Sequence, residues 1–198
     1  MNTSPIPVFD IHGVVPPIRP GHHGDSPERS PYQVDLLTFF QRFGSSQHRR
    51  LVLKGLLELR AELHLAGKSE CFQWIDGSFL EDLEVQRGRA PDDVDVVTFM
   101  SLDDAPEQIQ LCESFPDVVY RERSKQRFKV DHFLLPTDVP YTIDYASNLA
   151  CWYALWSHRR DDLRWKGFVA IPLVSNDNDA RAWLRQYGEA PPDGGGTT

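Results

Sequence analysis

Two aspartates, Asp93 and Asp95, interrupt a valine-rich run, DVDVVTF, whose composition otherwise suits a buried strand. Aspartate is depleted from strands, so the pair needs a reason. Residues i and i+2 of a strand face the same way, about 6.6 Å apart along the chain. Both carboxylates can therefore converge on one point while Val94 and Val96 enter the core. Held at about 4 Å, two such charges repel by about 1 kcal/mol in water and about 4 kcal/mol at an effective dielectric of 20. Arg89 alone is a poor match for that repulsion. A divalent cation answers it better: oxygen-only ligands suit Mg²⁺ or Mn²⁺, and Mg²⁺ characteristically binds through one or two carboxylates together with substrate phosphates.

Upstream, Gly77 and Ser78 fall between the strand-like CFQWI and a helix start. Free backbone amides and a helix dipole at such a junction favour an anion such as phosphate, and glycine lets it approach closely. The same residues also fit a capping box, in which Ser78 caps a helix and Glu81 reaches back to it. On the residues alone the capping reading is the stronger, since a lone Gly-Ser is very common.

These side chains need elements to position them. Residues 1–31 are proline-rich and carry the pair His22-His23, which has no spaced partner and reads as loop, so we expect an extended arm. A short amphipathic helix is expected over Gln33–Phe43, ended by Gly44. A longer one starts near Gln47, capped by Ser45 or Ser46, with Val52, Leu56, Leu59 and Leu63 at helical spacing. Strands follow at Cys71–Ile75, Asp93–Phe99, Phe128–Leu135 and Gly167–Val174. Between and after them come a helical turn at Ser78–Glu84 and helices near Pro106–Ser114, Ile143–Ser157 and Asp177–Tyr187. Asp131 is the central polar residue of the third strand. With 198 residues and 40% hydrophobic composition the chain can bury one core and is short for two. The expectation is a single mixed α/β domain over residues 32–187, a mixed sheet flanked by helices, followed by a disordered tail over 188–198.

A net charge of −8 argues against a general nucleic-acid coat protein, since polyanion affinity comes largely from neutralising phosphates. The basic stretches QHRRLVLK, RERSKQRFK and HRRDDLRWK read as solvated faces. Cys71, Cys112 and Cys151 read as reduced core thiols, and Trp74, Trp152, Trp156 and Trp165 as packing anchors. The start lacks the basic and apolar regions of a signal peptide, and the longest apolar run, LACWYALW, is too short to span a bilayer. A soluble, cytoplasmic protein with no membrane partner is expected.

The order of the pieces is more specific than any one of them: strand, Gly-Ser, helix, a strand with Asp-Val-Asp-Val, then a later strand with a single aspartate. In IDGS, DVDV and VDHF the chain resembles the nucleotidyltransferase superfamily that includes DNA polymerase β, the CCA-adding enzymes and the bacterial minimal nucleotidyltransferases. The resemblance covers Cys71–Leu135. It implies a nucleotidyltransferase-like sheet and two-metal nucleotidyl transfer with Mg²⁺ or Mn²⁺. Asp93 and Asp95 would hold the metal that bridges an NTP's triphosphate, with Asp131 at the metal that activates the attacking hydroxyl. Gly77 and Ser78 would cradle phosphates. Arg159, Arg160 and Lys166 would either clamp the triphosphate or simply be solvated at a helix end. WIDGSFLEDLE, PDDVDVVTF and HRRDDLRWKGF together also resemble an uncharacterised bacterial protein family that recurs near mobile-element and defence genes, which implies a toxin-antitoxin or phage-defence setting.

The leading expectation is transfer of NMP from an NTP to a hydroxyl on a protein or RNA acceptor. A catalytically silent, antitoxin-like subunit that keeps the fold to bind a protein partner is the alternative. A metal-dependent nuclease is a third class, but DVDVVTF lacks the lysine such a core would want.

Overall fold

The computed structural model of the chain describes residues 5–102 and 104–188. The expected α/β architecture is present as one five-stranded mixed sheet in the order β1-β5-β2-β3-β4. Strand β1 (Tyr32–Gln33) runs parallel to β5 (Val169–Pro172), and β2 (Phe72–Asp76) is antiparallel to both of its neighbours. β3 (Val94–Met100) pairs in parallel with the edge strand β4 (Val130–Pro136). Helices α1 (Leu36–Phe43), α2 (Gln47–Leu65) and α3 (Leu83–Arg87) surround β2 in sequence. A parallel pair needs a crossover, and α4 (Ala105–Ser114), α5 (Pro116–Val119) and α6 (Arg121–Phe128) supply it between β3 and β4. Two further helices, α7 (Ile143–Trp156) and α8 (Asp177–Gly188), flank β5 in sequence.

Alternation along the strands gives the sheet two chemically different faces. The face bearing Gln73, Val96, Thr98 and His132 is covered by α2, with α6 and α8 packed beside it. Its polar residues form one buried chain. Arg60 on α2 donates to Asp177, to the carbonyls of Pro172 and Leu173, and to Gln73 Oε1 at 2.7 Å. Gln73 Nε2 donates to Thr98 Oγ1 at 3.0 Å, and Thr98 meets His132 Nε2 at 2.7 Å. His132 Nδ1 lies 2.7 Å from the Val118 carbonyl, which can only accept, so Nδ1 carries the proton and Nε2 accepts from the Thr98 hydroxyl.

The opposite face is aromatic and meets α7: Trp152 packs on Phe133, Tyr153 on Trp74, and Trp156 on Phe168. Of α7 only Trp156 is buried, while Ile143 and Leu155 stand in solvent.

Several expected boundaries move, each for a local reason. The first helix starts at Leu36, not Gln33, because the Asp35 side chain caps it at the Thr38 amide and Tyr32–Gln33 pairs with β5 instead. Ser46 caps α2. The strand expected from Phe128 begins at Val130; α6 continues through Phe128 and ends at Lys129 in a left-handed conformation. Residues 5–31 contain no helix, yet Ile6, Val14 and Val15 are fully buried and Val14 bridges to Glu81, so this segment is part of the core. His22 and His23 are exposed, His22 facing Ser26. Cys71 is buried as expected; Cys112 is only partly so, and Cys151 is exposed. Trp165 is likewise half exposed. The expected tail lies outside the described residues apart from Gly188, which ends α8. Among the described residues no helix is long and apolar enough to cross a membrane.

Candidate metal centre

Strand register creates the site. Asp95 on β3 stands opposite Asp76 on β2 and opposite Asp131 on β4, so three carboxylates form a row across three adjacent strands, on the face that carries α7. Asp93, two residues before Asp95, joins them from the mouth of β3. Asp93, Asp95 and Asp131 each offer an oxygen, and these oxygens lie within 4.8 Å of one another. Opposite ligands of an octahedral Mg²⁺ are about 4.2 Å apart, so less than 1 Å of closure would fit them to such an ion. The donor set, oxygen only, also suits Mg²⁺ or Mn²⁺.

The three carboxyls differ in electrostatics. Burial, with Asp93 and Asp131 adding to it, pushes Asp95 up to about 6. Burial also pushes Asp131 up, but the Arg121 guanidinium and the Lys125 ammonium outweigh it and hold that carboxyl below its ordinary value. Arg121 takes both oxygens of Asp131, with Nη2 at 2.6 Å from Oδ2. Lys125 Nζ lies 2.6 Å from Asp93 Oδ2 and 3.6 Å from Asp131 Oδ2. Asp95 makes no ion pair or side-chain hydrogen bond among the described residues.

Gly77 closes one side of this group. Its φ of +84° lies where only glycine is comfortable, and a Cβ there would sit 2.6 Å from Asp95 Oδ2. The turn thus backs directly onto the central carboxylate. The element that follows is a three-residue 3-10 turn, Ser78–Leu80, too short for the helix dipole expected there. The capping box is absent too, because the Glu81 carboxylate turns to Lys166 at 3.2 Å. Ser78 is half-buried, its hydroxyl unengaged among the described residues.

Lys166 does not reach the cleft as a free cation. It is 3% exposed and donates to the Gly77 carbonyl at 3.0 Å while pairing with Asp76 at 3.1 Å and Glu81 at 3.2 Å. Burial alone would lower its pKa; the Asp76 and Glu81 carboxylates reverse that and raise it. Asp76, fully enclosed, is pushed up to about 7 by burial against the pull of Lys166, and its Oδ1 has no hydrogen-bond partner among the described residues. From α2, the buried Arg49 donates to the carbonyls of Phe79 and Glu81 and to both oxygens of Glu84. Lys166 and Arg49 therefore brace the glycine turn from two sides.

Arg159 is engaged elsewhere, with Asp162 and the His12 carbonyl, and Arg160 is exposed without a partner among the described residues. Neither is joined to the carboxylates by any described contact. An open cavity of about 870 Å³, lined by Phe72, Trp74, Ala170 and Pro172, occupies the β1–β5–β2 side of the α7 face, away from Asp93 and Asp131. Arg121 and Lys125 were missed by sequence reasoning, which placed RERSKQRFK in solvent. Their i, i+4 spacing just ahead of the Asp131 strand is the signal that points to them.

No curated protein and no solved structure matches the chain. One family does, over residues 7–172, a span that holds Asp76, Asp93, Asp95 and Asp131, the glycine turn and all five strands. The chain belongs to that family, DUF6932, a family of unknown function.

Proposed function

We propose that this protein is a cytoplasmic, metal-dependent nucleotidyltransferase that moves NMP from an NTP to a hydroxyl of a protein or RNA acceptor. The observation that carries the reading is the convergence of Asp93, Asp95 and Asp131 within 4.8 Å, with the Gly77 turn packed on Asp95. Asp93, Asp95 and Asp131 would together hold Mg²⁺ or Mn²⁺ where an NTP's triphosphate docks. Mg²⁺ or Mn²⁺ bound there supplies Lewis-acid polarisation of phosphoryl oxygens and a lowered pKa for the attacking hydroxyl. The chain's own contribution is placement. Two parallel strands, β3 and β4, fix the carboxylates, Lys166 and Arg49 fix the turn, and the missing side chain at Gly77 leaves room beside Asp95. With the carboxyl of Asp95 near 6, the group is ionised and ready to ligate above neutral pH.

A silent, partner-binding role has one observation in its favour: Arg121 and Lys125 already neutralise Asp131 and Asp93 without a metal. Thermal melts separate the two readings. A ligand bound only by the native state stabilises it by RT ln(1 + [L]/Kd), so Mn²⁺ with an NTP should raise Tm more than either alone. Labelled-NTP transfer to cell protein and RNA, run with each of the four nucleotides, then reads the reaction. If no combination moves Tm at millimolar ligand and no label transfers, the catalytic reading fails and the silent one stands.

A further inference from the structure

α6 divides its side chains between two tasks. Ser124 and Phe128 are buried, Ser124 donating to the Val130 carbonyl, while Arg121 and Lys125, one turn apart, reach the carboxylates of the candidate centre. We propose that Arg121 and Lys125 are a displaceable cation pair: they occupy Asp131 and Asp93 in the metal-free protein and transfer to the phosphates of a metal-bound polyphosphate when it arrives. The inference rests on the nucleotidyl-transfer reading for the place where metal and triphosphate meet.

Three features lead to it. Arg121 engages both oxygens of Asp131, and Lys125 engages Asp93, so a metal drawing one oxygen from each of the three aspartates competes with these cations for the same carboxylates. The two cationic side chains are 52% and 46% exposed, against 8% and 20% for Asp131 and Asp93, so each cation regains water on leaving while an arriving metal takes over the more buried carboxylate. The Arg121 guanidinium also lies 5.0 Å from the Phe133 ring, a cation–π surface that stays available when its carboxylate partner is withdrawn. Lys166, by contrast, is buried among three acceptors and has no such freedom.

Charge then sets the ligand class. Three carboxylates against two cations leave one net negative charge at the resting site. A divalent ion turns this into one net positive charge, so the metal converts a site that repels anions into one that attracts a phosphate. Metal and polyphosphate should accordingly bind cooperatively, with Arg121 and Lys125 as the coupling.

The experiment titrates Mn²⁺ into the parent, Arg121→Gln, Lys125→Gln and the double variant: without tripolyphosphate, binding is read as loss of the free-ion EPR signal; with inorganic tripolyphosphate, it is read by equilibrium dialysis as Mn²⁺ retained with the protein. Without tripolyphosphate the double variant should bind Mn²⁺ more tightly, by about 5-fold or more, since two competitors each worth up to about 1 kcal/mol are gone. With tripolyphosphate present the order should reverse, the parent gaining more than the variant. Arg121→Lys, which keeps charge but loses the two-pronged contact, should fall between. Unchanged or weaker Mn²⁺ binding in the double variant overturns the inference, as does an equal gain from tripolyphosphate in both proteins. If instead neither parent nor variant takes up millimolar Mn²⁺, the metal centre itself fails and this inference with it.

Discussion

Replacing Asp95 by Asn tests the centre where its electrostatics are least compensated. Asp95 sits beside Asp93 and Asp131 with no ion pair among the described residues, and burial and those two carboxylates, against the more distant pull of Lys166 and Lys125, raise its carboxyl from 3.8 to about 6. At about 1.4 kcal/mol per pH unit, ionising it in the fold costs about 3 kcal/mol more than ionising it in the unfolded chain. The native protein therefore holds more protons than the unfolded one between about pH 4 and 6. Across that window stability falls as pH rises, and the full penalty is present above it. Asn removes the penalty but brings an amide that must be solvated or paired, at about 1 kcal/mol. The metal-free variant should thus be about 2 kcal/mol more stable than the parent at neutral pH, or about 4–8 °C in Tm for a chain of this size. The advantage should vanish near pH 4. Urea titrations in chelator at several pH values measure it, and the labelled-transfer assay should show a loss of more than about 100-fold, since even outer partners of a metal cost 10–100-fold. A variant that is less stable at every pH, yet active in proportion to its folded fraction, would refute the reasoning.

Lys166→Met should destabilise the fold by about 3–5 kcal/mol, because Asp76 and Glu81 would be left buried without their cation; near-parental stability with weakened nucleotide binding would return Lys166 to the role of phosphate clamp. His132, which burial holds down at about 4, should contribute acid sensitivity of its own. Its folded pKa is depressed, so stability is lost as pH falls from about 6.5 through 4, by about 3 kcal/mol. His132→Gln should remove that slope in urea titrations, and an unaltered slope would show that His132 does not set it.

How much of this was legible in the sequence differs from residue to residue. Asp93 and Asp95 stood out because two carboxylates in a valine run contradict local preference, and such contradictions gather at functional sites. α7 and α8 were readable because each is a long helical stretch with its own start and stop. β1 was not: two residues carry no periodicity, and Tyr32–Gln33 is a strand only because Val169 and Ala170 arrive beside it. The same limit hid the site's register. That Asp131 stands opposite Asp95 depends on how three crossover helices return the chain, and no local pattern encodes it.

Lys166 and Lys125 show why charge is the hardest property to read from sequence. Both lie in basic runs with the same local look, which places Lys125 in solvent and Lys166 either in solvent or on a phosphate. Their environments are set by partners far along the chain for Lys166, whose acceptors Gly77 and Glu81 lie 89 and 85 residues upstream, and by strand register for Lys125. The first is locked under a turn, and the second stands half in water over a carboxylate that a metal would need. Burial thus decides which cation is scaffold and which is free to change partner. A charged side chain at a site of this kind acquires its role from how cheaply it can leave its present carboxylate, which here separates Arg121 and Lys125 from Lys166 more sharply than residue type or distance does.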